Sequence, residues 1–137
     1  MRQEHLFPAL PWGAPVNDNP LAQEFSGEAA LRLRVYIGER DHHGGQPLYT
    51  AIVHAARVAG LSGATVVKGI EGYGAHSVVH AARIVDMSSD LPLVVEIVDS
   101  SEKVRAFVPA LKELLDDGMM TIESVAIIYR NAGKPRS

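Results

Sequence analysis

Residues 90–99, Asp90-Leu91-Pro92-Leu93-Val94-Val95-Glu96-Ile97-Val98-Asp99, decide the fold. From Leu93 to Val98 every side chain except Glu96 is apolar, so an extended segment here avoids water on both faces, the pattern of a strand covered on two sides. Ser88-Ser89-Asp90, with Pro92 close behind, reads as a turn that makes this strand one arm of a hairpin whose other arm is residues 82–87. Beyond the strand, Asp99 and Glu102 have capping-box spacing, with Asp99 as the cap. They predict a helix that carries Val104, Phe107, Leu111 and Leu115 toward the core and stops at Gly118. Pro109 lies inside that helix and is expected to kink it, because it removes a backbone donor and crowds the preceding turn. Residues 122–130 close the domain as a last strand, with Ile122, Ala126 and Ile128 on one face and Val125 and Ile127 on the other.

Toward the N-terminus, Leu31, Leu33, Val35 and Ile37 alternate with Arg32, Arg34 and Tyr36, which makes a first strand with one face in a core. Residues 38–46 form a polar, glycine-bearing loop, and Pro47 falls where a helix tolerates proline best, in its first turn. The helix predicted from Pro47 to Ala59 places Leu48, Ile52, Ala55 and Ala59 on one face, and Gly60 supplies a left-handed stop. Residues 64–70 are a second strand, followed by a glycine-rich segment and a polar loop through His80. The resulting order is βαββαβ, that of an α+β ferredoxin-like sandwich with both helices on one sheet face. No third helix covers the other face, so two-sided strands imply burial against further copies of the chain. Arg32 or Arg34 can reach Glu96 across that face.

Composition narrows the setting. The 137 residues, 47% of them apolar, suffice for one core and not for two. Thirteen basic against sixteen acidic residues give a net charge of -3, which leaves no basic footprint for nucleic acid or an anionic membrane surface. The lack of cysteine excludes disulfides, thiolate metal sites and a cysteine nucleophile, and fits the cytoplasm. No signal sequence or spanning segment is expected. Four of the eight prolines (Pro8, Pro11, Pro15 and Pro20) lie in the first twenty residues, so residues 1–28 read as an extended or disordered arm, residues 29–131 as the domain and residues 132–137 as a tail. The apolar residues Leu6, Phe7, Leu10, Trp12 and Phe25 give the arm a means of docking on the domain or on a neighbouring subunit.

Three glycines stand out for chemistry: Gly69, Gly72 and Gly74 lack the Cβ that would keep a phosphate from the backbone amides. They match neither a dinucleotide fingerprint nor a P-loop. Six histidines raise a metal alternative, with His42 and His43 adjacent in a loop and His76 four residues before His80. The last two would share a face only on a helix, and their segment reads as loop to strand. Ser77, Ser100 and several carboxylates form no recognisable arrangement of nucleophile, base and orienter, so an enzyme is not indicated. Asp116 and Asp117 read as a solvated helix end.

The motifs Tyr36-Ile37-Gly38-Glu39, Pro47-Leu48-Tyr49, Gly63-Ala64-Thr65-Val66, Gly69-Ile70-Glu71-Gly72-Tyr73-Gly74 and residues 90–99 resemble, in combination, a family of small bacterial and archaeal proteins of uncharacterised function. That family is placed in the PII-like (GlnB-like) superfamily, and the resemblance covers about residues 30–130. It implies a homotrimeric regulator that binds an adenine nucleotide, AMP, ADP or ATP, in clefts between subunits. It also implies that the loop at residues 71–80 engages a partner such as a membrane transporter or an enzyme. The residues it implicates in nucleotide binding are Gly63, Thr65, Lys68, Gly69, Glu71, Gly72, Tyr73, Gly74, Val98, Gly118 and Arg130. The turn at Met119-Met120-Thr121 lacks the basic residue of the PII pattern, which favours AMP or ADP over ATP. The alternative that the same resemblance admits is a trimeric handler of divalent metal, like cation-tolerance proteins of this fold, using His42, His43, His76 or His80.

Overall fold

The computed structural model describes residues 19–74 and 90–131. Among them the chain order is α1 (Pro20–Glu24), β1 (Glu28–Gly38), β2 (His42–His43), β3 (Gln46–Pro47), α2 (Leu48–Val58), β4 (Thr65–Lys68), β5 (Pro92–Asp99), α3 (Ser101–Leu114) and β6 (Met119–Ile127). Four strands form one sheet in the order β4-β5-β1-β6, and β2 with β3 makes a separate ribbon. This is the ferredoxin-like, α+β arrangement that the βαββαβ order predicts. The chain forms two compact units, Met1–Ala30 with Ser124–Ser137, and Leu31–Glu123.

The larger unit holds the core. β5 alternates strictly, with Leu93, Val95 and Ile97 buried and Val94, Glu96 and Val98 half-buried. Antiparallel pairing sets Val35 opposite Val95, Leu33 opposite Ile97 and Ile37 opposite Leu93, so the apolar sets of β1 and β5 share a face. On that face pack Leu48, Ile52 and Ala56 of α2 with Val104, Phe107 and Leu111 of α3. The opposite face carries Arg32, Arg34 and Tyr36 from β1, with Val94, Glu96 and Val98 from β5, and no described helix covers it. Arg34 Nε donates to Glu96 Oε2 at 2.9 Å, and Arg32 Nη2 lies 2.9 Å from Glu123 Oε1. Both arginines thus enter one carboxylate network. The Glu96 hydrogen bond raises the Arg34 guanidinium above its ordinary value against the opposing effect of burial, and the charges of Glu96, Tyr36 and Glu123 add to the rise.

Several boundaries differ from expectation for identifiable reasons. The cap of α3 is Ser100, whose Oγ accepts from Lys103 N at 3.3 Å, and not Asp99. Asp99 is 2% exposed and is engaged elsewhere. Its Oδ2 accepts from Ser62 N at 2.8 Å and Ser62 Oγ at 2.9 Å, and its Oδ1 accepts from Ser100 N at 2.7 Å. α3 runs through Pro109 and ends at Leu114, four residues before Gly118, because Leu115 already adopts extended backbone at ψ 128. Gly118, at φ +116, makes the turn into β6, which starts at Met119 and not at residue 122. In α2 the buried face is Leu48, Ala51, Ile52 and Ala56; Ala55 sits at its edge and Ala59 is exposed. Gly60, at φ +85, ends the helix as expected.

β4 is shorter than residues 64–70, and it takes the edge of β5 along Leu93 to Glu96. The expected hairpin arm at residues 82–87 lies outside the described residues. Residues 38–46 are not a plain loop: Gly44 and Gly45, both at positive φ, form a two-residue turn joining β2 to β3.

In the smaller unit the arm expected to be extended contains α1. Asn19 Oδ1 accepts from Leu21 N at 2.9 Å and Ala22 N at 3.3 Å, and Pro20 occupies the first helical position, where its missing N–H is no loss. Asn19 Nδ2 donates to Ser124 Oγ at 3.3 Å. Gly27 packs its backbone on that of Ile127 so closely that a Cβ would collide with the Ile127 carbonyl oxygen. Residues 1–18 lie outside the described residues.

Candidate functional site

Three strand ends and the glycine segment converge within the larger unit. β1 finishes at Gly38, β5 begins at Pro92 and β6 begins at Met119. Gly69 N donates to Pro92 O at 2.8 Å, which carries the β4–β5 ladder one residue past β4 and brings the glycine segment over Pro92. A Cβ on Gly69 or Gly72 would stand 3.0 or 3.1 Å from Pro92 Cγ. A Cβ on Gly118 would stand 2.8 Å from Tyr36 O. Glycine at these places lets the walls close to backbone distance. Between them lies a cleft of about 310 Å³ with Tyr36, Tyr73, Gly74 and Pro92 on its sides and Asp41, Asp117 and Gly118 among its polar lining.

The loop after β1 is braced from both ends. Gly38 N donates to Asp41 Oδ2 at 2.9 Å, Arg40 N to Asp90 Oδ1 at 2.9 Å, and Glu39 N to Leu91 O at 2.9 Å. Asp41 is held in place by its own turn and leads into the β2–β3 ribbon, while Leu48 N donates back to Asp41 O at 2.7 Å. Lys68, at the end of β4, pairs with Glu39 at 2.8 Å. Because β4 and β1 are not neighbours in the sheet, that pair reaches across β5. Among the described residues no Lys, Arg or His lines the cleft, whereas two carboxylates do.

Of the residues the sequence singled out, Gly69, Gly72, Tyr73, Gly74 and Gly118 come together at this cleft or its wall, with Lys68 and Glu71 on the same stretch of chain. Gly63, Thr65 and Val98 do not join them. Thr65 stands opposite Glu96 and Lys68 opposite Leu93. Three residues of strand therefore put about 10 Å between the two groups within one protomer. Arg130 belongs to the smaller unit, where its Nε lies 3.5 Å from Glu28 Oε1. His42 and His43 are exposed on β2, and His42 Nδ1 is 2.7 Å from Arg40 O. His76 and His80 lie outside the described residues, as does the loop beyond Gly74. Among the described residues no group of three or more His, Cys, Asp or Glu could hold a metal ion, and no helix is long and apolar enough to cross a membrane.

Sequence reading missed Tyr36, Asp41, Pro92 and Asp117 as lining. Only Asp41 left a signal, since Gly38-Glu39-Arg40-Asp41 has the spacing of a side chain that caps its own turn.

The ferredoxin-like sheet with this strand order is shared with solved structures of PII-like fold. Solved structures with that fold include CPII, a nitrogen regulatory PII-like protein from Thiomonas intermedia K12, bound to ADP, AMP and bicarbonate. It matches with a TM-score of 0.51 and 14% identity, over 79% of this chain and 97% of that one. CPII from the same organism bound to ADP, AMP and acetate matches with a TM-score of 0.50 and 14% identity, over 72% of this chain and 88% of that one. The chain itself belongs to the DUF190 family, described as Uncharacterized ACR, COG1993, whose model matches residues 30–127. Relatives include a UPF0166 protein of Aquifex aeolicus, 36% identical over 97 residues that make up 71% of this chain and 91% of the relative. Another, from Methanocaldococcus jannaschii, is 34% identical over 98 residues, 72% of this chain and 90% of the relative.

Proposed function

We propose that the chain is a PII-like regulator, not an enzyme, that assembles as a homotrimer in the cytoplasm and binds an adenine nucleotide at the cleft beside Gly118. The observation that carries this reading is the cleft, walled by close-packed glycines at the meeting of three strand ends, in a chain that shares its fold with CPII, whose structures hold ADP and AMP. Trimer formation covers the sheet face that carries Arg32, Arg34, Tyr36, Val94, Glu96 and Val98. It also supplies a means of joining what one protomer keeps apart, since the Gly63 and Thr65 end of β4 and Arg130 of one copy can complete the cleft of another. Residues 71–80 then present the occupied or empty state to a partner protein, a membrane transporter or an enzyme.

Isothermal titration of the purified oligomer with AMP, ADP and ATP tests the reading, together with Gly69→Val. The valine would press on Pro92 Cγ and on Pro92 O, 3.0 and 3.3 Å from the position of its Cβ, and displace the glycine wall. Saturable binding to the native chain, weakened tenfold or more (about 1.4 kcal/mol) by Gly69→Val, is the expected result. Absence of binding by all three nucleotides refutes it.

A further inference from the structure

The smaller unit turns its larger apolar side chains outward. In α1 the buried residue is Ala22, whereas Leu21 and Phe25 are 55% and 52% exposed. Phe25 N donates to Leu21 O at 3.0 Å, so the two residues stand one turn apart on a shared face. Gly27, two residues beyond Phe25, packs on the backbone of Ile127 and Ile128, and Ile128 is itself exposed. An amphipathic helix ordinarily buries its large apolar residues and exposes alanine. Grouped apolar exposure of this kind marks a docking surface.

A segment of matching chemistry precedes this surface in the chain. From Leu6 to Val16 no side chain is charged, and the indole N–H of Trp12 is the only polar group among them. Pro8, Pro11 and Pro15 disfavour helix and strand pairing and favour the polyproline form, which packs on aromatic and aliphatic surfaces at small ordering cost. Asn19 fixes the point of departure, since its side chain caps α1 and donates to Ser124. Gly13, Asn17 and Asp18 lie between Trp12 and Asn19, and all three are turn-forming types. A tether this short holds the segment near the surface at an effective concentration on the order of millimolar, which favours its own chain over a neighbouring copy. The family model matches residues 30–127, so surface and segment both lie outside the shared domain. We infer that residues 6–12 dock on Leu21, Phe25 and Ile128 of their own chain, with Trp12 as the main anchor.

Trp12 is the single tryptophan of the chain, so its fluorescence, excited apart from the tyrosines, reads the arm directly. Emission maximum and acrylamide quenching are compared for the native chain, the double variant Leu21→Glu with Phe25→Gln, and the control Val58→Gln. Val58 is an exposed apolar residue of α2, in the larger unit. Native Trp12 should emit to the blue of its position in urea and resist acrylamide at every protein concentration. Loss of both anchors lowers the ratio of docked to free arm at least about tenfold and moves emission toward the urea value, while Val58→Gln leaves it unchanged. Far-UV circular dichroism checks that the exposed positions tolerate the changes. Native emission equal to that in urea overturns the inference, as does shielding that the double variant leaves intact or that Val58→Gln also removes. Shielding that fades on dilution overturns it too, because the segment then belongs on a neighbouring copy.

Discussion

Asp99→Asn isolates the buried carboxylate that ties the turn after α2 to the start of α3. The native carboxylate takes three hydrogen bonds, from Ser62 N and Ser62 Oγ on one oxygen and from Ser100 N on the other, in a site 2% exposed. Asparagine offers one acceptor oxygen. It can keep the Ser62 pair or the Ser100 bond, and its NH2 then faces the donor left over. One bond to a charged acceptor, net about 1.5–3 kcal/mol, is lost, and the remaining bonds lose their charge assistance. The expected destabilisation at pH 7 is about 2–3 kcal/mol, equivalent to roughly 10–20 °C in Tm for a unit of this size.

The pH dependence of that loss has a definite sign. Burial acts to raise the Asp99 pKa, but the backbone bonds from Ser62 and Ser100, the Ser62 hydroxyl and the charge of Lys103 outweigh it and hold the group below its ordinary value of 3.8. A carboxyl with a lowered folded-state pKa contributes stability that is complete above the unfolded value and is lost as pH falls through the folded one. The gap between native and Asp99→Asn chains should therefore be full at pH 7 and close steadily below about pH 4. Urea unfolding at fixed protein concentration, at pH 7 and pH 3, measures both numbers. A gap under about 0.5 kcal/mol at pH 7, or one of equal size at both pH values, would refute the reasoning.

Two further substitutions test the cleft wall and the open face. Gly118→Ala forces a Cβ onto backbone at φ +116 and to 2.8 Å from Tyr36 O, so it should cost about 2–4 kcal/mol in urea unfolding and weaken nucleotide binding in the same preparation. Glu96→Lys sets a third positive charge beside Arg32 and Arg34, with pair side chains about one-third exposed, and should shift the proposed trimer toward protomers in light scattering. The protomer's own stability should change by less than about 1 kcal/mol, since exposed pairs contribute little.

β1 is legible in the sequence because alternation is a strong, local signal, and it placed Leu33 and Val35 in the core; β5 is legible as a run apolar on both faces, which does not by itself say that Leu93 and Val95 face the helices. The cap of α3 is not, because Asp99 with Glu102 and Ser100 with Lys103 differ by one residue. The choice is made by Ser62, which needs an acceptor and lies 37 residues away in the chain. The β2–β3 ribbon is too short to show a period, and its one signal, Gly44-Gly45, reads as part of a polar, glycine-bearing loop. α1 was obscured by the surrounding prolines, although Asn19-Pro20 is a good helix start. At the site, glycine reports close approach locally, so Gly69 and Gly72 could be picked out, whereas Gly118 reads as a helix stop and joins the site only through the family resemblance. Asp41 and Asp117 line one cleft because β1 ends where β6 begins, which residue spacing does not reveal.

The contact of Asn19 with Ser124 joins positions 105 residues apart. Closing so long a loop carries a large entropic cost, and such contacts form late in folding unless other contacts have already brought the ends together. The apolar cluster of Leu33, Ile52, Val95, Phe107 and Leu111 lies wholly in the larger unit and can supply that earlier collapse. The stretch from Leu31 to Glu123 can therefore bury this cluster before Asn19 meets Ser124.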